Sequence, residues 1–283
     1  LQDDERSPDL IAGSDHVKQV EADLALIETA AHEAGAIALS FFGHDPEVWW
    51  KNGGESPVSA ADFAANKVLE DTLRKARPDY GWLSEESEDD LARLGCDHVF
   101  VVDPIDGTRG FLKGRRNWAV SVAVVYRGRP VAGVLVAPAL GEVFSAHANG
   151  PAIKNGVPVV ATQKDALNDN DVVDICLPAS LNRQFASEFI GRIRPADHIP
   201  SLAYRLAMVA DGRLDATLVR QDSHDWDLAA ADIILERAGA RLCDEKGQPL
   251  RYNRESVSQG VLFAANETLV ATLLRHFGAG HQT

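Results

Sequence analysis

The run Val99-Phe100-Val101-Val102-Asp103-Pro104-Ile105-Asp106-Gly107-Thr108 decides the architecture. Four apolar residues in unbroken succession predict a short buried strand. The strand runs straight into Asp103. Two aspartates three residues apart at a strand end can converge on hard cations, which take oxygen ligands. Pro104 stiffens the turn between them, and Gly107 allows close backbone approach. The amides of Gly107 and Thr108 can then cradle phosphate oxygens if a helix or turn begins there. A lone Asp-Gly is an ordinary turn signal, whereas the whole pattern arises by chance in well under ~1% of chains of this size.

Upstream of this run, Leu24, Ile27, Ala31, Ala34, Ala38 and Phe41 fall three and four apart, which predicts a helix from Glu21 to Phe42 stopped by Gly43 and Pro46. A second helix is expected between Ser59 and Pro78. Downstream, Trp118 to Tyr126 and Val131 to Val136 read as strands joined by the hairpin signal Arg127-Gly128-Arg129-Pro130. Val143 to Ala146, Val172 to Cys176, Leu214 to Val219, Ala240 to Cys243 and Val261 to Ala264 read as further strands. Helices are expected at Leu202–Ala210, Trp226–Ala238 and Glu267–Phe277, the second ending at Gly239. This alternation predicts a mixed α/β protein of layered helices and sheets. Three segments are expected: a loose polar tail over residues 1–20, an N-terminal half over 21–150, and a C-terminal half over 151–283, divided near Gly150 to Gly156.

With 28 basic and 42 acidic side chains the formal net charge is −14. That balance argues against a nucleic-acid polymer as partner. Small anions are not excluded, because bound metal reverses the local field. No unbroken apolar run approaches the roughly 20 residues of a membrane span. Cys96, Cys176 and Cys243 are odd in number and widely spaced, which argues against a disulfide framework and fits a reducing cytoplasm.

Three more carboxylates stand out. Taken singly, each has an ordinary explanation. Glu85 follows Trp82-Leu83-Ser84 and precedes the acidic Glu86, Glu88, Asp89 and Asp90, as in a solvated loop. Asp227 reads as a dipole-stabilising residue in the first turn of a helix. Asp62 completes a capping box with Ser59.

Taken together, these pieces resemble the inositol monophosphatase superfamily. Ser56-Pro57-Val58-Ser59-Ala60-Ala61-Asp62, Ser84-Glu85-Glu86-Ser87, Asp103 to Thr108 and Trp226-Asp227-Leu228-Ala229-Ala230 occur in that family's order, at compatible spacings. The resemblance implies a layered αβαβα sandwich and a Mg²⁺-dependent phosphatase of small phosphate esters, in which Mn²⁺ can substitute while Li⁺ and Ca²⁺ inhibit. It assigns Glu85, Asp103 and the Ile105 carbonyl to one Mg²⁺ and Asp103, Asp106 and Asp227 to a second. Glu85 would help hold a weaker third ion. Thr108, paired with Asp62, would deprotonate the attacking water, and Gly107 and Thr108 would grip the phosphate. Asp106, Arg109 and Asp227 join the substrate contacts, and a homodimer is the assembly frequent among such proteins.

Other phosphatase chemistries lack their residues. The positions six beyond the three cysteines are Val102, Asn182 and Pro249, not the arginine a cysteine phosphatase needs. Asp103 and Asp106 are three apart, not the two of an aspartyl-phosphate enzyme, and no Walker loop or nucleophile elbow is present. The basic stretch Arg109-Gly110-Phe111-Leu112-Lys113-Gly114-Arg115-Arg116 is similar to the 3′(2′),5′-bisphosphate nucleotidase branch, where a second phosphate needs a cationic partner. Inositol-1-phosphate and histidinol phosphate stay open as substrates, and so does a non-catalytic scaffold that retains the fold. Arg220 and Tyr204 are further candidates to face the leaving group, and His224 is notable for its nearness to Asp227.

Overall fold

In the computed structural model, which describes residues 14–44, 46–51, 56–164, 172–185 and 187–278, the Val99–Val102 run lies within a strand spanning His98–Asp106, second from one edge of a seven-stranded sheet. In chain order, α1 (Ser14–Phe41) is followed by a hairpin of β1 (Val48–Lys51) and β2 (Ser56–Ser59), then α2 (Ala60–Ala76). Next come β3 (Gly81–Ser84), a 3₁₀ turn (Leu91–Gly95), β4 (His98–Asp106) and the short α3 (Thr108–Leu112). The meander β5 (Ala119–Tyr126), β6 (Arg129–Ala137), β7 (Glu142–His147), β8 (Ile153–Lys154) and β9 (Val157–Pro158) completes this sheet.

The remainder supplies β10 (Val173–Cys176), α4 (Ala179–Asn182), α5 (Ser187–Ile190), β11 (Ile193–Pro195) and α6 (Leu202–Ala210). It continues through β12 (Ala216–Val219), β13 (Ser223–His224), α7 (Asp225–Arg237), β14 (Ala240–Asp244), β15 (Ser258–Gln259), β16 (Leu262–Asn266) and α8 (Glu267–His276). Five of these strands form a second sheet in the order β11-β10-β12-β16-β14.

The layering follows from which way alternate side chains point. Phe100, Val102, Val120, Val122 and Val124 share a core with Ile27, Ala31, Ala65 and Leu69 of α1 and α2. Their neighbours Val99, Val101, Ala119 and Ala123 share another with α6 and α7, which Leu242, Leu262 and Ala264 of the second sheet close from the far side. The opposite face of that sheet, with Leu218 and Phe263, packs on Leu269, Val270 and Leu273 of α8. Strands covered on both faces need apolar residues at every position, which explains their continuous runs. The result is the expected αβαβα sandwich.

Three expectations shift in detail. Helix α1 begins at Ser14 rather than Glu21, so residues 14–20 are helical and not tail, while residues 1–13 lie outside the described part. By length and composition α1 is apolar enough to cross a bilayer. It contains no long unbroken apolar run, because polar residues interrupt its alanines. Ile27, Ala30, Ala31, Ala34 and Ala38 are fully buried in the sandwich. The hairpin turn is Arg127-Gly128 alone, both at positive φ (48° and 84°), with Tyr126 paired to Arg129, so Arg129 and Pro130 already belong to β6. That is the two-residue geometry whose twist matches the strands it joins.

Candidate active site

A regular strand points residues 103 and 106 to opposite faces, because side chains alternate with a period of two. Here Asp103 pairs with Ser121 and Asp106 with Ala119, so three steps on β4 match two on β5. This bulge restores the parity and turns both aspartates toward one cavity. The Asp103 Oδ1 accepts the Ile105 N–H at 2.9 Å, which fixes the bend around Pro104.

Glu85 arrives from the parallel neighbour. Ser84 is in register with Val102, and the Glu85 N–H donates to the Val102 carbonyl at 3.2 Å, so Glu85 stands level with Asp103. Asp227 comes from the first turn of α7, where its Oδ2 accepts the His224 N–H at 2.8 Å. Helix α7 is seated directly on the sheet. The Ser121 hydroxyl donates to the Trp226 carbonyl at 3.1 Å, and a side chain on Gly133 of β6 would strike Ala230 and Ile233 at 2.6–2.9 Å. Glu85, Asp103 and Asp227 each offer a carboxylate oxygen within 4.8 Å of the others.

Asp106 lines the same cavity of about 370 Å³ but is not one of those three. Its Oδ2 accepts the Ser201 hydroxyl and, at 2.6 Å, the Ala203 N–H at the start of α6. It thereby ties the C-terminal half to the bulge. Gly107 sits at φ 96° with Ser201 backbone atoms 3.1–3.2 Å from where a Cβ would lie, so both conformation and space require glycine there. Asp62 is pinned through Oδ2 by the Ser59 N–H (2.8 Å) and hydroxyl (2.6 Å), which leaves Oδ1 to receive the Thr108 hydroxyl at 3.0 Å. The Thr108 Oγ1 is also 3.0 Å from the Ile105 carbonyl.

The electrostatics are those of crowded anions. Burial holds Asp103 well above the usual carboxylate range, and Glu85, Asp106 and Asp227 raise it further. Asp227 is raised in the same way, by burial and then by Asp106 and Glu85. Asp106 is raised by burial but drawn back by Ser201 and the α6 amides. Burial also raises Asp62 against its hydrogen bonds from Ser59 and Thr108. Oxygen-only donors that repel one another at this range fit a hard divalent cation, whose charge relieves the repulsion.

Arg109 is exposed and lines this cavity, as does Arg220. Elsewhere in the basic stretch, Arg116 donates to the Ala139 carbonyl, and Gly110 sits where a Cβ would meet Pro200 at 2.8 Å. Tyr204, a candidate from the sequence, is buried away from both cavities, its hydroxyl donating to Glu142 at 2.9 Å. The next residue, Arg205, lines a larger adjoining cavity of about 610 Å³. One helical step turns a side chain by about 100°, which sends these two neighbours to different surroundings. His198, also missed, lines both cavities, and its loop carries no sequence signal. His224 stacks on Trp226 at 4.7 Å, and its backbone caps α7.

Carboxylates gathered at bulged and parallel strand ends in a five-layer sandwich define a class of hydrolases for phosphate monoesters. The chain belongs to the inositol monophosphatase family, whose model matches residues 19–280. It is 32% identical over 223 residues to an inositol-1-monophosphatase of Rhizobium meliloti, covering 76% of this chain and 80% of that one. It is 31% identical over 233 residues to the 3′(2′),5′-bisphosphate nucleotidase CysQ of Escherichia coli, covering 81% and 93%. Among solved structures, the extragenic suppressor protein suhB of Bartonella henselae superposes with a TM-score of 0.77 at 28% identity, covering 90% and 98%. Two relatives with different substrates in their names match almost equally, so the family is fixed and the ester is not.

Proposed function

We propose that the chain is a Mg²⁺-dependent phosphomonoesterase of a small phosphorylated metabolite, with a 3′(2′),5′-bisphosphate nucleoside as its leading substrate. The observation that carries this reading is the convergence of Glu85, Asp103 and Asp227 oxygens within 4.8 Å, beside the Thr108–Asp62 pair. Glu85, Asp103 and the Ile105 carbonyl would hold one Mg²⁺, and Asp103, Asp106 and Asp227 a second, with Glu85 assisting a weaker third. When bound, the cations supply charge against the phosphate dianion, a more acidic water and stabilisation of the leaving alkoxide.

The chain's own residues supply direction. Thr108 Oγ1 takes a proton from water as its own passes to Asp62 Oδ1, 3.0 Å away. The bonds from Ser59 hold Asp62 in place for that transfer, and its burial makes it a stronger proton acceptor than a solvated carboxylate. Gly107 and Thr108 hold the phosphate at the cavity wall. Arg109 and Arg220, which line this cavity, support a leaving group that carries a second phosphate over a neutral polyol. Inositol-1-phosphate and histidinol phosphate are the alternatives. Three free cysteines support a cytoplasmic setting, and a homodimer is the proposed assembly.

The test is phosphate release from adenosine 3′,5′-bisphosphate, inositol-1-phosphate and histidinol phosphate, with Mg²⁺, Mn²⁺ or EDTA, and with Li⁺ or Ca²⁺ added. Release should need Mg²⁺ or Mn²⁺, fall with Li⁺ or Ca²⁺, and show its highest kcat/KM on the bisphosphate. Release in EDTA would remove the mechanism, and silence across the panel would favour a scaffold.

A further inference from the structure

The turn of α7 that carries Asp227 is seated on the loop over residues 253–259. The Asp225 N–H donates to the Val257 carbonyl at 2.9 Å, and the buried Asp225 Oδ1 accepts the Gln259 amide at 2.6 Å. Strand β13, just before α7, pairs with β15 at the end of that loop. Glu85 lines the same cavity as Asp227 but heads a different loop, which returns to the sheet through the 3₁₀ turn Leu91–Gly95. At its start this loop is fastened to α2, because Asn66 accepts the Ser84 hydroxyl at 2.6 Å and donates to the Ser87 hydroxyl at 3.1 Å. One side chain then crosses from the Glu85 loop to the loop under α7.

That side chain is Arg93, which lies in the 3₁₀ turn and is only 2% exposed. Its Nε and Nη2 donate to the two Asp89 oxygens at 2.6 and 2.8 Å, which closes its own loop. Its Nη1 donates to Asn253 Oδ1 at 2.8 Å, and Nη1 and Nη2 both reach the Arg254 carbonyl at 3.1 Å. The Asn253 amide returns a bond to the Arg93 carbonyl at 3.1 Å. Asn253 holds φ 53°, in the left-handed region that asparagine tolerates better than most residues. A guanidinium is planar and its donors point in fixed directions, so a fork filled on both sides sets the separation of the groups that fill it. None of the three partners belongs to the cage.

We infer that Arg93 is a positioning residue for the metal cage: it locks the Glu85 loop to the loop that seats α7 and so fixes how far Glu85 stands from Asp227. This role rests on the metal-dependent reading and adds to it a residue, outside the cage, that sets the cage's affinity. Carboxylate oxygens gathered within 4.8 Å of one another repel, so an empty cage opens unless its supports hold it. Glu85 and Asp227 stand on loops far apart in the chain, and Arg93 is the buried charge whose bonds span those loops. A slack tie therefore weakens capture of the cation and leaves the chemistry of the loaded site alone.

The experiment titrates Mn²⁺ into the metal-free full chain by calorimetry and, in parallel, follows phosphate release from the most reactive ester of the panel against Mg²⁺ concentration. Arg93→Met keeps the stem and removes the fork. It should weaken Mn²⁺ binding by about tenfold or more and raise the Mg²⁺ needed for half-maximal rate by a similar factor. At saturating Mg²⁺ its kcat should stay within about threefold of the wild type. Arg93→Lys restores the charge without the fork and should recover only part of the affinity. Should Arg93→Met fail to fold, Asn253→Gly keeps the left-handed turn, removes one acceptor, and should weaken Mn²⁺ severalfold. Leu273→Ala, in the buried face of α8 on the outer layer, lowers the melting temperature without touching either loop and should leave Mn²⁺ affinity unchanged. Affinity unchanged in the Arg93 and Asn253 variants, or lost equally in Leu273→Ala, removes this inference alone, as does a fall in kcat with affinity intact. A wild type that binds no Mn²⁺ removes the metal-dependent reading and this inference with it.

Discussion

Asp62 and Asp227 have an ordinary role and a proposed catalytic one at once, because a carboxylate has two oxygens. Each accepts its own helix-capping N–H through Oδ2, from Ser59 and His224 respectively, and the cap fixes where the other oxygen points. At Asp62 the other oxygen meets Thr108 at 3.0 Å. That contact separates a proton-transfer role from a binding role. Thr108→Val keeps the side chain's shape and removes the hydroxyl, so kcat should fall by about 10²–10⁴ while KM moves within a few-fold. Thr108→Ser should recover most of the rate. Asp62→Asn should resemble Thr108→Val in kcat, with the melting temperature checking that the α2 cap survives. A change confined to KM would make Thr108 a phosphate ligand and no more.

Between elements, α7 against β6 is the seam that places Asp227, and it contains a buried carboxyl remote from the cage. Asp232 is 2% exposed, accepts the Tyr252 hydroxyl at 2.9 Å and lies 3.6 Å from Arg129. Burial pushes its carboxyl up to about 6, against the pull of Arg129 and Tyr252. The folded chain therefore keeps this proton over a range where the unfolded chain, near 3.9, has lost it. Its contribution lowers stability as pH rises from about 4 to about 6, by up to about 3 kcal/mol, and is constant above. Asp232→Asn cannot titrate and can still accept from Tyr252. In EDTA, its melting temperature should match the wild type near pH 4 and exceed it by several degrees at pH 7. A difference that does not change with pH would refute the assignment. None of this seam was legible in the sequence, where Asp232 reads as one polar residue in an apolar helix. The runs of β4 and β5 were legible because two covered faces demand apolar residues throughout. Asp103 and Asp106 were legible in their spacing at a strand end, whereas Glu85 and Asp227, each ordinary when taken singly, were picked out by the family resemblance. Arg205 and the Ser201 tie to Asp106 depend on α6 meeting a bulge about a hundred residues earlier in the chain, and no local pattern encodes that meeting.

For the molecule as a whole, the cage joins elements far apart in sequence: β3 and β4 of the first sheet bring Glu85 and Asp103, and α7 between the sheets brings Asp227. Without a cation this junction is a set of crowded carboxyl groups. The folded values of Asp103 and Asp227 stand well above their unfolded ones, so the metal-free fold binds the extra protons. The sign is then set: metal-free stability falls as pH climbs from about 4 through those raised values. A divalent cation must displace the same protons, so its affinity rises over the same interval. Thermal melts at pH 5, 6.5 and 8, in EDTA and in millimolar Mg²⁺, should give a stabilisation by Mg²⁺ that grows with pH. It should approach about 2.7 kcal/mol once the free ion is a hundredfold above its Kd. Asp227→Asn makes the opposite trade, removing one repelling charge along with one ligand. In EDTA at pH 8 it should melt at or above the wild type, yet gain little from Mg²⁺. A wild type whose melting ignores Mg²⁺ at every pH, or an Asp227→Asn variant that responds as fully as the wild type, would mean that these carboxylates meet for some reason other than holding a metal.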